Sequence, residues 1–172
     1  ELEAKGIYEV EFDNSNKKDE QWYINTNQSF AFAGGKITAS YGSATAKPHA
    51  DTKWTQKEID DGDAPDGADT NTVKNEGLKT KLIRDVKAQA NQLLSQTDWY
   101  VTRKSEKSTA IPSNITTWRN GIRSKQAAME TDITNASDTP ALETLYAYVN
   151  TADEGDPVVM ERPIGEFPEL GS

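Results

Sequence analysis

Cysteine is missing from the chain, so neither a disulfide framework nor a thiolate-held zinc or iron–sulfur centre is available to it. His49 is the single histidine, which excludes a multi-histidine metal site. No apolar run approaches the ~18 residues that a membrane-spanning helix needs. Nor is there a secretory hydrophobic region. Cations are outnumbered, with 19 Lys and Arg against 28 Asp and Glu and a net charge of −9. Gripping nucleic-acid phosphates takes a basic stripe, and none is present. The acidic excess reads instead as a solubility feature. Hydrophobic residues are also scarce at 34%, which predicts generous loops or surface that is covered only on assembly. A length of 172 residues suits one domain, or a small domain with an appendage.

What is present divides the chain in two. In "GIYEVEF", Tyr8, Val10 and Phe12 alternate with Glu9 and Glu11, the period of a half-buried strand. "QWYI" resumes an extended pattern in which Trp22 and Ile24 are expected to point the same way. The "SFAFAGGKITASY" stretch is a hairpin, because Gly34-Gly35 between alternating runs accepts the positive φ of a two-residue primed turn. That turn pairs Ala33 with Lys36, Phe32 with Ile37 and Phe30 with Ala39. Phe30, Phe32, Ile37 and Ala39 then share one face, expected to be buried under cover. Residues 1–45 are accordingly a small antiparallel β-domain.

Residues 46–76 are rich in Asp, Gly and Pro and read as an exposed connector. Residues 77–151 carry helical periodicity. One stripe is Leu82, Ile83, Val86, Ala90, Leu93 and Leu94, bounded by Gly77 and by Thr97-Asp98. A second is Ile115, Trp118, Ile122, Met129 and Ile133, with Ser113 or Asn114 as the N-cap. A third is Leu142, Leu145, Tyr146 and Val149, with Pro140 in the first turn behind Asp138 or Thr139. Three such helices close a small bundle. Residues 152–172, punctuated by Pro157, Pro163 and Pro168, read as an extended arm. Its apolar residues Val158, Val159, Met160, Ile164, Phe167 and Leu170 would gain burial only against a neighbouring subunit. The fold class is therefore α+β.

Candidates for chemistry are weak. The acidic run fails the spacing of a calcium-binding EF-hand loop: starting from Asp61, the third position is Asp63 but the fifth is Pro65; starting from Asp60, the third is Gly62. His49 beside Pro48 reads as a surface histidine, and no Gly-x-Ser-x-Gly elbow accompanies it. No Gly-rich phosphate loop occurs. Asp98 beside Trp99 invites an active-site reading, with the acid as base and the indole as a stacking surface. The plainer reading is a helix cap at Thr97-Asp98 with Trp99 packed in the corner, flanked by Arg103, Lys104, Arg119 and Arg123. No catalytic, cofactor-binding or metal-ligating residue is expected, and no cofactor.

The stretch "LLSQTDWYVTRKSEKSTAIPSNITTWRNGIRSKQ" resembles a C-terminal module of virion and tail-fibre-associated proteins of tailed bacteriophages, especially the contractile-tailed marine phages. Leu93, Leu94, Thr97, Asp98, Trp99, Ile111, Pro112, Trp118, Arg119 and Arg123 carry the resemblance, which covers roughly residues 60–150. The chain departs from that pattern at Trp118, where Tyr is more usual, and at Gly121, where a better helix former is usual. The resemblance implies a virion structural protein of the tail, baseplate or fibre attachment, located in the particle and present in several copies. Its expected partners are other virion proteins, and it implies no enzyme activity. Alternative readings are a neck, collar or capsid-fibre component, a non-virion tail-fibre assembly chaperone, and a receptor module that binds a host-surface glycan through Trp22, Phe30 and Phe32.

Overall fold

In the computed structural model, which describes residues 5–171, the chain is 39% helical and 16% strand, with small sheets mostly in the N-terminal half, an α+β protein. It divides into two compact units at Lys47/Pro48.

The first unit holds β1 (Val10–Asp13), β2 (Tyr23–Ile24), β3 (Ser29–Ala33), β4 (Lys36–Ser40) and β5 (Thr45–Ala46). Gly34 and Gly35 both take positive φ, 58° and 78°, and β3 and β4 pair in the register that this turn dictates. The sheet is mixed, not antiparallel: its order is β1-β4-β3, and β1 runs parallel to β4. β3 and β4 form the hairpin, and β1 pairs with β4 on the side away from β3.

Two rows of side chains cross all three strands, Val10–Ile37–Phe32 and Phe12–Ala39–Phe30. The expected cover over that face is missing. Ala39 is fully buried beneath its neighbours, but Phe12, Phe30 and Phe32 are 60–64% exposed. Tyr8 meets the Phe32 ring edge-on, with centroids 4.6 Å apart. The opposite face is polar, with the Ser29 and Ser40 hydroxyls 3.3 Å apart and Lys36 paired to Glu11. Trp22 is buried whereas Ile24 is exposed, against the expected alternation. The reason is local: the amides of Trp22 and Tyr23 both donate to the Asp19 carbonyl, so Trp22 lies in a turn and the strand begins only at Tyr23.

The second unit begins with β6 (Thr52–Lys53), α1 (Gln56–Asp60) and β7 (Val73–Asn75), in the stretch expected to be a bare connector. Strands β6 and β7 pair antiparallel. Thr55 and Glu58 form a reciprocal capping box on α1. The Lys74 ammonium pairs with Glu58 and lies 4.5 Å from the centre of the Trp54 ring. Lys74, then the Thr55 amide and hydroxyl, hold the Glu58 carboxyl down at about 2 from an ordinary 4.5. A depressed carboxylate adds stability that is full above the unfolded value and fades as pH falls through the folded one. The Trp54 indole N–H resonance is therefore expected to titrate with a midpoint near pH 2, well below the ordinary 4.5, and Glu58→Gln to flatten that titration.

The helices follow: α2 (Leu78–Ser95), α3 (Asp98–Lys107), α4 (Ser113–Asn135) and α5 (Thr139–Tyr146). Asp51 reaches the start of α2, accepting from the Gly77 amide and the Thr80 hydroxyl, both at 2.7 Å. These two donors hold its carboxyl below the usual range. Lys79 donates to the Thr134 carbonyl, Lys87 pairs with Glu130, and Arg119 donates to the Leu94 carbonyl, so α2 and α4 run antiparallel. Their stripes bury Leu78, Leu82, Val86 and Ala90 from α2, with Ile115, Trp118, Ile122, Met129 and Ile133 from α4. The expected second stripe is entirely buried. Pro112, not Ser113 or Asn114, holds the N-cap position of α4, and no side chain caps it. Asp138 caps α5 by accepting from the Ala141 amide, with Pro140 in the first turn. Val149, expected in the third stripe, lies past the end of α5, in β8 (Val149–Asn150), and is exposed.

Candidate functional site

Where α2 stops, Thr97 is 3% exposed and its hydroxyl turns back to the Leu94 carbonyl. Free carbonyls at a helix C-terminus need donors. Arg119, from the second turn of α4, adds a charged donor at Leu94. One terminal nitrogen donates to the Leu94 carbonyl and to the Thr97 hydroxyl oxygen, both at 2.7 Å. The other donates to Asp98 Oδ1 at 2.9 Å. A planar fork presents its donors from two separated nitrogens, a spread that matches three acceptors on two helices and that a lysine's single nitrogen does not reproduce. Arg119 was expected to be a solvated flank; it is 7% exposed and is the lock of the corner.

The same junction moves Trp99 outward. It was expected in the core, but α3 starts at Asp98 with no break after the α2 corner, and Trp99 falls on the outer side, 51% exposed. It stacks on Tyr100 with centroids 3.8 Å apart, and the Arg103 guanidinium lies 4.8 Å from its ring centre. No residue of α3 is buried. Asp98 is spent on Arg119, and among the described residues no second acid pairs with that guanidinium. Arg123 and Leu94 line an open groove between α2 and α4. Lys104 is exposed on α3.

Beside the lock, Ala90, Trp118 and Ile122 form a buried cluster against which Leu93, Leu94 and Phe167 pack. Trp118 donates from Nε1 to the Pro168 carbonyl at 2.8 Å. Thus the expected arm, described as far as residue 171, is not free. It makes β9 (Met160–Glu161), which pairs with β8, and then runs back over α4. The Ile164 amide donates to the Leu145 carbonyl, and Ile164 is 1% exposed. Arg162 pairs with Glu166, which also accepts from the Tyr148 hydroxyl at 3.2 Å. Burial pushes the neighbouring Tyr146 phenol up to about 12.

Gly121 belongs to this contact. A Cβ there would come within 3.2 Å of Pro168 Cγ, so the helix-weakening glycine leaves room for the returning chain. Of the arm's apolar residues only Ile164 and Phe167 are taken up; Val158, Val159, Met160 and Leu170 remain exposed. Ending the chain at residue 151 is therefore expected to destabilise the helical unit by several kcal/mol, since a fully buried isoleucine and a packed phenylalanine go with the arm. Urea unfolding of the truncated chain followed by far-UV circular dichroism measures it. An unchanged midpoint would contradict the packing described.

The remaining candidates resolve simply. The His49 carbonyl accepts from the Lys79 amide, a backbone role near the start of α2. In the acidic run Asp60 accepts from Gln56 and Asp61 pairs with Lys57. Among the described residues no three His, Cys, Asp or Glu side chains are grouped to hold a metal ion. Of the glycan platform, Phe30 and Phe32 are exposed on the sheet, whereas Trp22 is buried. No described helix is long and apolar enough to cross a membrane.

What the fold and these surfaces define is an α+β protein with a cross-braced helical unit and a small sheet whose apolar face is uncovered. No family model, curated protein or solved structure matches the chain.

Proposed function

We propose that this protein is a structural component of a tailed-bacteriophage particle, in the tail, baseplate or fibre attachment, acting through protein–protein contact. One observation supports this reading above the others: six of the ten motif residues that resemble the phage module are used here for bracing. Leu94, Thr97, Asp98 and Arg119 make one lock, and Trp118 with Leu93 and Leu94 makes the cluster beside it. A motif spent on fixing a shape suits a docking module. The exposed apolar groups lie outside the lock: Phe12, Phe30 and Phe32 on the sheet, the motif's own Trp99 with Val101 on α3, Val158 and Val159 before β9, and Met160 in it.

The glycan-binding reading loses its indole, since Trp22 is buried, and the remaining phenylalanines sit among Val10 and Ile37 without polar groups converging on them. Sugar sites need such groups for orientation. Mass spectrometry of purified particles tests the proposal. Stoichiometric presence of the chain in particles is the expected result. Its presence in infected cells but absence from particles would replace the reading with that of an assembly chaperone.

A further inference from the structure

Strand β3 is an edge of the sheet, and all five of its residues are exposed. Which of its backbone groups face outward follows from the pairing. The Ile37 amide donates to the Glu9 carbonyl, toward β1. Ile37 is therefore turned away from β3, and its partner Phe32 is in a non-hydrogen-bonded pair. Alternation extends this to Phe30 opposite Ala39, while Ala31 opposite Thr38 is bonded. The N–H and C=O groups of Phe30 and Phe32 thus point off the free edge, and no partner for them is found among the described residues.

Natural sheets guard such edges with charge, proline, bulges or cover. β3 has none of these. From Thr26 to Gly35 the sequence TNQSFAFAGG contains no charged residue, in a chain that is 27% charged. The other edge, β1, is guarded: Glu11 and Asp13 place like charges along it. Ser29–Ala33 is also nearly palindromic about Ala31. Antiparallel pairing with itself, centred there, puts Phe30 opposite Phe32 of the other copy, twice. Those two pairs are the ones with outward N–H and C=O groups, so each exchanges two hydrogen bonds. All four rings fall on one face, joining two apolar faces into one.

The size of the exposed face adds weight. Three phenylalanines each about 60% exposed leave on the order of 300–450 Å² of ring surface uncovered, the size of the largest and often functional patch on a monomer. We propose that the β3 edge pairs antiparallel with β3 of a second copy of this chain, about a two-fold axis through Ala31, giving a continuous six-stranded sheet. The inference stands on the sheet alone and does not depend on the particle reading; either can fail without the other.

The register supplies the test. Ala31 would face Ala31 of the second copy in a close, non-hydrogen-bonded pair, where like charges repel and opposite charges attract. Sedimentation of the full chain across a wide concentration range should show a reversible dimer. Ala31→Lys and Ala31→Glu should each weaken it at least tenfold, and an equimolar mixture of the two should restore it as a heterodimer. Amide exchange should slow with concentration at Phe30 and Phe32 and stay constant at Ala31. Far-UV circular dichroism checks that both variants are folded. A wild-type chain that stays monomeric at all concentrations overturns the proposal. So does a dimer that both variants form as well as the wild type, or that their mixture fails to restore.

Discussion

Replacing Arg119 with alanine is expected to cost the helical unit about 2–4 kcal/mol, because the Thr97 hydroxyl oxygen loses its donor in a nearly dry corner, the Leu94 carbonyl keeps only its bonds from Thr97, and the buried stem goes with them. An unmade hydrogen bond in such a place costs more than a made one contributes, since water cannot replace the missing partner. The ion pair is the smaller part. The Asp98 side chain is 60% exposed and re-solvates when the guanidinium is gone, which limits its share to about 1 kcal/mol or less.

Two further substitutions separate the causes. Arg119→Lys keeps the charge but has no fork, so it should still lose about 1–2 kcal/mol. Arg119→Met fills most of the volume and makes no bonds. If the methionine variant unfolds at the wild-type urea concentration, the corner is held by packing of the side-chain stem and the lock described above is wrong. A second consequence concerns α3. It buries no residue of its own, and Asp98 on Arg119 secures its first turn. Amide exchange along residues 98–107 should therefore quicken in Arg119→Ala more than exchange in the middle of α4.

Trp118→Ala is expected to be the most damaging single change, at roughly 3–5 kcal/mol for a buried indole. For a domain of this size that corresponds to a fall in Tm of roughly 10–15 °C. The indole does two jobs. Its ring fills the cluster with Ala90 and Ile122, and its N–H holds the Pro168 carbonyl. Trp118→Phe leans on the second: a six-membered ring stays in the cluster while the bond and the pyrrole volume are lost, at about 1–3 kcal/mol. Limited proteolysis provides the discriminating readout. Cleavage within residues 162–171 should accelerate in both variants, and more so in the alanine form. Equal cleavage rates in all three proteins would mean that the returning segment is held elsewhere, by Ile164 and the Arg162–Glu166 pair.

The motif at the α2–α3 corner was legible as packing, but its parts were misassigned. Trp118 is where a packing argument puts it, but the expected cap fails. Thr97 sits at the N-cap of α3 without a side-chain bond to that helix, its hydroxyl turned to Leu94, and Asp98 accepts from Arg119. Trp99 and Arg119 are exchanged: the large aromatic is outside and the cation inside. Hydropathy ranks an indole above a guanidinium for burial, and no local pattern records that a carbonyl at the end of one helix needs a donor from another. The stretch 46–76 was misread for a different reason. Its acidic composition hid a Thr55-x-x-Glu58 capping box, a local signal that the sequence does carry.

The sequence by itself determined the hairpin register, the two long apolar stripes and the capped start of α5, because each depends on neighbours within a few residues. Gly34-Gly35 needs nothing distant to set its turn, and a period of 3.6 needs only its own helix. Only the tertiary structure decided that β1 lies parallel to β4, that the aromatic sheet face is uncovered, that Arg119 is buried, and that the proline-rich C-terminal segment returns to Trp118 instead of reaching outward. Those are contacts between residues about 20 to 50 positions apart. Their free energy depends on which surfaces meet, and a chain read in order does not contain that information.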